Sequence, residues 1–189
     1  VQTQLLSGSD GRLPLYRVDE ARRNHQVRRL ALSSVEFGSG ARNVLAALGV
    51  LCRERGILFG VDAIQSLGCL PIDVEACGID VLAADGHKWL LSVEGCGIFF
   101  CAARLLDRVA PRIVGWRSVA SRNDFDSYDL ALYPDASRFE EGTPNTGGIY
   151  GLGAAIELVL ALGLDAPAER GLSLRDRLVE RLSPPAAGL

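Results

Sequence analysis

The sequence predicts an α/β fold of three layers, in which a mainly parallel sheet lies between helices. Short apolar runs alternate with helix-like amphipathic segments, as in repeated strand–helix–strand units. The runs that end at Asp62 and Asp85 are continuous rather than alternating, which is typical of strands buried on both faces of a parallel sheet. A length of 189 residues with 48% hydrophobic content also provides enough apolar surface for one sizeable core.

The first half of the chain contains a predicted strand–helix–strand unit. Residues 30–35 are apolar except for two serines and are expected to form a buried strand. Residues 44–55 carry their apolar side chains on one helical face, and Gly56 is positioned to end that helix. The apolar run 57–61 then forms the next strand, which ends at Asp62.

The middle of the chain continues the alternation. A crossover over residues 67–78, interrupted by Pro71, leads to a strand over residues 79–84. Residues 97–102 form a further apolar run, and residues 103–109 are predicted to form a short helix.

Two helices are predicted towards the end of the chain. Residues 150–162 are rich in alanine, leucine and isoleucine and indicate a buried helix. A break at residues 165–167 separates it from an amphipathic helix over residues 168–182, which Pro184 and Pro185 should end.

Charge and cysteine usage exclude several classes of protein. The net charge is −3, and the densest basic stretch, residues 22–29, is interpreted as a solvated face, so no nucleic-acid binding is expected. Five cysteines without a CxxC pair indicate small buried side chains and no metal site, and they favour a reducing cytoplasm. No signal peptide opens the chain, and no apolar stretch reaches the ~20 residues of a membrane span.

Two charged residues stand where a parallel sheet places its ligands, beyond the carboxyl ends of strands. Asp62 follows one strand, and a glycine turn after the next strand delivers Lys88. Taken singly, the aspartate is explained by a helix cap or an ion pair, and the lysine by a stem that covers Trp89. Together they provide what pyridoxal phosphate (PLP) needs, namely an amine for a Schiff base and a carboxylate that keeps the pyridine nitrogen protonated.

Three motifs then carry a resemblance to a known family. They resemble the class V aminotransferase family of fold-type I PLP enzymes, which includes cysteine desulfurases, selenocysteine lyases and isopenicillin-N-epimerase-like proteins. The similarity extends over about residues 30–162. The motifs are DAIQS at 62–66, DGHKWL at 85–90 and RFEEGTPNTG at 138–147.

The resemblance implies a role for each of five residues. Lys88 would form the Schiff base and move protons at the substrate α-carbon, and Asp62 would pair with the pyridinium nitrogen. Gln65 would bond the ring oxygen, and His87 would line the phosphate end of the cofactor. Thr143 would reach the phosphate of the partner subunit, which implies a homodimer. No metal is implied.

The sequence departs from the family pattern at two positions. Many relatives have a serine that contacts the cofactor phosphate three positions before the lysine, where this chain has Asp85. An anion beside a phosphate is unfavourable, so Asp85 is not assigned as a ligand. Ser34 stands where many desulfurases have an asparagine that contacts the substrate.

The resemblance also defines the expected domain organisation. Residues 1–162 correspond to part of the PLP-binding large domain of fold-type I transferases, and residues 163–189 lead towards a small C-terminal domain that the chain does not contain. The upstream phosphate cradle, the arginine that binds the substrate carboxylate and the sulfur-accepting cysteine of desulfurases are absent as well. We therefore expect an internal piece of the enzyme that is poorly active alone.

The leading functional hypothesis is a cytoplasmic class V aminotransferase that acts on a small amino acid. The alternative within the family is a cysteine desulfurase or selenocysteine lyase. A catalytically inactive dimerising scaffold is a different alternative, although it would have no need for Lys88, Asp62 and Gln65 together. A nucleotide-binding α/β domain is not favoured, because Gly38 and Gly40 are followed by no third glycine at the required spacing.

Overall fold

A four-stranded sheet with the order β1-β2-β3-β4 forms the centre of the computed structural model, which describes residues 3–6, 8, 11–25 and 27–182. The strands are β1 (Arg29–Ser33), β2 (Leu58–Asp62), β3 (Val81–Asp85) and β4 (Gly97–Cys101). The helices are α1 (Leu15–His25), α2 (Leu45–Arg55), α3 (Thr146–Leu162) and α4 (Asp165–Leu182). Two 3-10 helices cover Ala103–Leu105 and Ala136–Phe139.

The sheet is mixed, with a parallel majority. β1 pairs with β2 and β2 with β3 in parallel, whereas β4 runs antiparallel to β3. The predicted α/β fold with helices flanking a mainly parallel sheet is therefore confirmed, and the antiparallel edge strand β4 is a feature that the apolar run 97–102 did not reveal.

The core lies between the parallel strands and α1 and α2. Phe59 of β2 is completely buried, and Leu48 of α2 and Val18 of α1 are nearly so. Gly49 lets α2 approach the crossover closely, since a Cβ there would lie 1.7 Å from the carbonyl oxygen of Cys77. Burial of these apolar side chains is the main stabilising contribution to this part of the fold.

A buried carboxylate ties the amino-terminal ends of two strands together. Asp80, which precedes β3, accepts a 2.7 Å hydrogen bond from the amide of Phe59 and a 2.5 Å bond from the guanidinium of Arg104. Asp80 is only 5% exposed, so both contacts are needed to offset the loss of its hydration.

Helix α1 was missed by the sequence interpretation. Its residues are mostly polar, and the basic stretch 22–29 was read only as a solvated face, but Val18 and Ala21 are buried on one side of the helix. An ion pair of Arg55 with Asp19 joins α2 to α1 at 2.9 Å. This hydrogen bond, with a second from Arg23, lowers the pKa of the Asp19 carboxyl.

Three predicted boundaries were wrong. The helix expected over residues 103–109 is only the short 3-10 helix Ala103–Leu105. α3 begins at Thr146, because the Asn145 side chain accepts a hydrogen bond from the amide of Gly148 and caps the helix. The break before α4 lies at Gly163 (φ 74°) rather than at residues 165–167, since Pro167 falls in the first turn of α4, where a missing N–H is tolerated.

Pro184 and Pro185, which were expected to end the last helix, lie outside the described residues. None of the described helices alone has the length and hydropathy of a membrane span. α3 and α4 meet those criteria only as a pair, which is bent by 82° at its junction.

Candidate active site

The carboxyl edge of the sheet brings the predicted aspartate and lysine into neighbouring loops. β2 ends at Asp62 and β3 at Asp85, and the two strands are parallel, with Asp62 opposite Ala83. The loops that follow touch each other. A Cβ at Gly68 would lie 2.4 Å from the carbonyl oxygen of Trp89, and the φ of +99° at Gly68 also favours glycine.

The Asp62 side chain is exposed at the end of β2 and is oriented by its own turn. Its Oδ1 accepts a 2.9 Å hydrogen bond from the amide of Ile64. The described residues give Oδ2 no hydrogen-bond donor. One carboxylate oxygen is therefore held by the backbone, while the other is available to a ligand at the sheet edge.

Lys88 lies in a tight turn that begins at the end of β3. The amide of Gly86 donates to the carbonyl of Cys96 at 2.8 Å, and the amide of Ser92 donates to the carbonyl of Gly86 at 2.9 Å. The amide of Leu91 donates to the carbonyl of Lys88 at 3.0 Å, and Leu91 itself has a φ of 59°. A leucine in this left-handed conformation costs about 1–2 kcal/mol, so the turn is maintained by its hydrogen bonds and packing.

The Lys88 amine is half-buried and lies beside an aromatic ring. Its Nζ is 5.8 Å from the ring centroid of Phe37, which is 86% exposed on the loop after β1. Within the part of the chain that the structure describes, no salt bridge reaches Lys88. Lys88 is also the only lysine in the sequence.

His87 and Asp85 form a pair next to the lysine. The Nδ1 of His87 lies 4.0 Å from the Oδ2 of Asp85, whose side chain is 57% exposed. The two side chains therefore lie near each other in the turn that carries Lys88.

The remaining two predicted site residues lie on different segments. Gln65 is half-buried in the turn that follows Asp62, so it shares the edge of the sheet with that carboxylate. Thr143 is exposed on the loop before α3. That loop is joined to the lysine segment, because the Asn145 side-chain amide donates a 3.0 Å hydrogen bond to the carbonyl of Gly95.

Two sets of buried polar contacts were not predicted from the sequence, the first at this edge and the second at the opposite edge, where β4 ends. Ser34, treated above as a possible substrate position, is 3% exposed and bonds to Ser66, which is 1% exposed. Arg138, known only as part of a motif, is 9% exposed and donates to the carbonyls of Tyr133 and Leu106. A serine in an apolar context was the available signal for Ser34 and Ser66, but the two lie 32 residues apart. Arg138 stands among polar and acidic residues, which gave no such signal.

Four of the five thiols have pKa values raised by burial, which disfavours the nucleophilic thiolate form. Burial raises the pKa of the Cys52 thiol to about 11, with a further contribution from the charge of Asp80. Burial is also the main reason why the pKa values of Cys69, Cys77 and Cys101 are raised. Across the described residues, no group of three histidine, cysteine or acidic side chains is arranged to bind a metal ion.

The family profile and the curated relatives that match this chain belong together, since both concern class V aminotransferases and cysteine desulfurases. The sequence profile of the family described as aminotransferase class-V matches residues 5–186. A cysteine desulfurase of Klebsiella pneumoniae (strain 342) is 38% identical over 159 residues, which is 83% of this chain and 38% of that protein. The chain spans about two fifths of the length of the curated relatives it matches.

Solved structures share the fold. The apo structure of a cysteine desulfurase from Thermococcus onnurineus NA1 superposes with a TM-score of 0.81 and 28% identity, over 94% of this chain and 43% of that one. An alanine–glyoxylate aminotransferase from Nostoc sp. has a TM-score of 0.72 and 29% identity, over 92% of this chain and 45% of that one. The similarity therefore includes proteins named for two different reactions.

Proposed function

Because the chain belongs to the aminotransferase class-V family, we propose that it contains the cofactor-binding core of a PLP-dependent enzyme that acts on an amino acid. The observation that carries this proposal is that Asp62 ends β2 and Lys88 follows the adjacent parallel strand β3, while the loops after the two strands touch each other at the same edge of the sheet. PLP requires a carboxylate and a primary amine on one site, and this edge supplies both.

The residues present fit the cofactor chemically. The Oδ2 of Asp62 receives no hydrogen bond from the described residues, and the amine of Lys88 is engaged in no salt bridge there. Bound PLP supplies an electron sink for the negative charge that develops at the substrate α-carbon. Asp62 would keep the proton on the pyridine nitrogen, which that function requires.

The other predicted residues are proposed to bind and orient the cofactor. Gln65 would donate to the ring oxygen from the turn after Asp62, and His87 would contact the phosphate end. Lys88 would hold the cofactor through its amine and afterwards transfer a proton at the substrate α-carbon. For that proton transfer, a neutral amine is the active form, since only an unprotonated nitrogen accepts a proton.

We propose that the enzyme is a homodimer in which Thr143 contacts the partner's cofactor. In support, Thr143 is exposed, and large apolar side chains near the lysine are exposed as well.

We also propose that residues 1–162 belong to the cofactor-binding domain and that residues 163–189 lead out of it. In support, Ala168 is the one residue of α4 that is buried.

A cytoplasmic location is proposed from the five free cysteines.

Two reactions are compatible with this site. Transamination is the first candidate, supported by the family description and by the aminotransferase from Nostoc sp.. Cysteine desulfuration is the second, supported by the relatives named cysteine desulfurase. The buried thiols described above do not supply a sulfur acceptor, so a desulfurase would need one from elsewhere in the protein or from a partner.

The deciding experiment gives the PLP-loaded full-length protein, of which this chain is expected to be one part, two kinds of substrate. One arm contains cysteine, and sulfide and alanine are measured. The other contains an amino acid with an oxo acid, and exchange of the amino group is measured. Turnover in either arm that is lost in Lys88→Ala supports the proposal and selects the reaction. Absence of both reactions, or activity that survives Lys88→Ala, would contradict it.

A further inference from the structure

We infer that Ser34 and Ser66 are positioning residues that fix the direction of the Asp62 carboxylate. The inference rests on the proposed function, since it concerns the carboxylate that would face the cofactor ring. Neither serine is exposed enough to touch a ligand, so both would act through the backbone that carries Asp62 and Gln65.

The two hydroxyl groups join segments that are distant in sequence. The Oγ atoms of Ser34 and Ser66 are 2.5 Å apart. Ser34 follows β1, and its amide donates a 2.8 Å hydrogen bond to the carbonyl of Asp62, while its Oγ is 3.2 Å from the same carbonyl. Ser66 closes the turn after β2, and its Oγ is 3.3 Å from the carbonyl of Ala63.

Whichever hydroxyl donates its proton to the other, the network still donates one hydrogen bond to the backbone of the turn after β2. Each hydroxyl has one proton to donate. If Ser66 donates to Ser34, the Ser34 proton goes to the carbonyl of Asp62. If Ser34 donates to Ser66, the Ser66 proton goes to the carbonyl of Ala63. In both arrangements the backbone at residues 62–63 is bonded to a hydroxyl group, beyond the last paired residues of the β1–β2 ladder, Ser33 and Asp62.

The position of this network explains why it matters for Asp62. The carboxylate is exposed, and among the described residues its one hydrogen bond comes from the amide of Ile64 within the same turn. Its direction therefore depends on the geometry of the turn. Hydrogen bonds that are buried from water exchange less readily with solvent, so Ser34 and Ser66 hold the turn more firmly than exposed side chains would.

Stability alone does not require the serine pair. Replacing both partners of a buried hydrogen bond by apolar groups is often nearly neutral, whereas removing one partner leaves the other unsatisfied. The double variant Ser34→Ala/Ser66→Ala thus separates a positioning role from a structural one, because it should fold while lacking both hydroxyl groups. Ser34→Thr, which retains a hydroxyl, serves as the conservative variant.

The first readout needs no cofactor and measures hydrogen–deuterium exchange of the Ile64 amide. We expect exchange to accelerate about tenfold in either alanine variant and in the double variant, the effect of about one net hydrogen bond. In Ser34→Thr, the exchange rate of the Ile64 amide should stay close to that of the unmodified protein. Ser118→Ala is the matched control, because Ser118 is fully buried and bonds to Gly115 and Glu140 in another loop.

The second readout is the ¹⁵N chemical shift of ring-labelled PLP bound to the protein, which reports whether the pyridine nitrogen is protonated. Asp62→Asn defines the shift expected when the carboxylate is lost. In the Ser34 and Ser66 alanine variants, the ¹⁵N chemical shift should move towards the value of Asp62→Asn. In Ser118→Ala and Ser34→Thr, the shift should stay at the value of the unmodified protein. A purely structural role would lower stability without changing this shift.

The two readouts distinguish failure of this inference from failure of the proposed function. Unchanged Ile64 exchange and an unchanged ring shift in the double variant would overturn the positioning role, even if PLP binds at Lys88. If the unmodified full-length protein does not bind PLP, the proposed function fails. In that case, Ile64 exchange still decides whether Ser34 and Ser66 fix the turn of Asp62.

Discussion

Asp62 and Lys88 reach the same edge of the sheet for a simple reason. Parallel strands end on the same side, and each of these residues follows one of two neighbouring strands. That placement was predictable from the apolar runs alone. The serine pair was not, because the contact between Ser34 and Ser66 depends on the β1–β2 register, which no short motif reveals.

Asp62→Asn tests the residue that should control the ring nitrogen. An amide cannot stabilise a protonated pyridine nitrogen as a carboxylate does, so kcat should fall about 10²–10³-fold, as when one electrostatic stabiliser of a transition state is removed. Steady-state kinetics on the PLP-loaded protein measure the change.

Asp73→Asn is the matched control for this variant. Asp73 also accepts amide hydrogen bonds within its own turn, from Glu75 and Ala76, but it lies in the crossover rather than at the end of β2. Asp73→Asn should keep kcat within about twofold of the unmodified protein, as expected for a surface substitution away from the reacting atoms. Equal losses in the two variants would contradict the role of Asp62.

Cys52 should make stability depend on alkaline pH. Its pKa is raised from 9.0 to about 11, so the folded protein retains a proton that the unfolded chain releases between these values. The resulting stabilisation is complete below pH 9 and is lost as the pH rises to about 11, amounting to about 2–3 kcal/mol. Urea unfolding from pH 8 to 11 should show this slope, and Cys52→Ala should make it less steep, with the remainder coming from the raised pKa values of Cys69, Cys77 and Cys101. An equal slope in both proteins would contradict the assignment.

Strands and helices with strong apolar patterns were predictable from the sequence. Elements whose formation or direction depends on contacts with distant segments were not. α2 and its end at Gly56 follow from local sequence. α1 has few apolar residues, and its helix is supported by the burial of Val18 and the contact of Asp19 with Arg55. The antiparallel direction of β4 depends on its pairing with β3, which periodicity does not report.

Two glycines give opposite predictions for the same substitution. Gly56 ends α2 with a φ of 64°, and a Cβ there would meet nothing within 4 Å, so Gly56→Ala should destabilise the protein by about 1 kcal/mol through backbone strain alone. Gly153 lies inside α3 with equally open space. Gly153→Ala should therefore stabilise by about 0.5–1 kcal/mol.

Chemical denaturation of both variants measures these changes in the free energy of unfolding. Because the added methyl group is the same and contacts nothing in either case, the backbone conformation is the only intended difference. The same sign of change for Gly56→Ala and Gly153→Ala would show that this explanation is incorrect.

For the whole molecule, the α/β class and the family were predictable, since three motifs occur in the right order. A homodimer is a prediction that rests on the resemblance. The structure shows exposed apolar side chains on the lysine turn and at the start of α3, among them Leu91, Val93, Ile149 and Tyr150. These two segments are close, since a Cβ at Gly151 would lie 3.9 Å from the side chain of Val93.

We predict that this surface lies at the proposed homodimer interface. Val93→Asp should weaken association at least about tenfold, because it places a charge in a desolvated apolar contact. Sedimentation velocity over a concentration series measures the effect. Leu178→Asp on α4, where the leucine is similarly exposed (58%), is the control and should leave association unchanged. Loss of the dimer in the control alone would place the interface on α4 instead.

The most direct test of the central claim uses the fact that Lys88 is the only lysine in the sequence. The purified protein is incubated with PLP, reduced with borohydride, digested and analysed by mass spectrometry, with Lys88→Arg as the control. The account predicts one pyridoxyl group on the peptide that contains Lys88 and none in the control. Absence of a pyridoxyl group on the Lys88 peptide, when the same labelling is repeated on the full-length protein, would contradict the assignment of Lys88 as the cofactor-binding lysine.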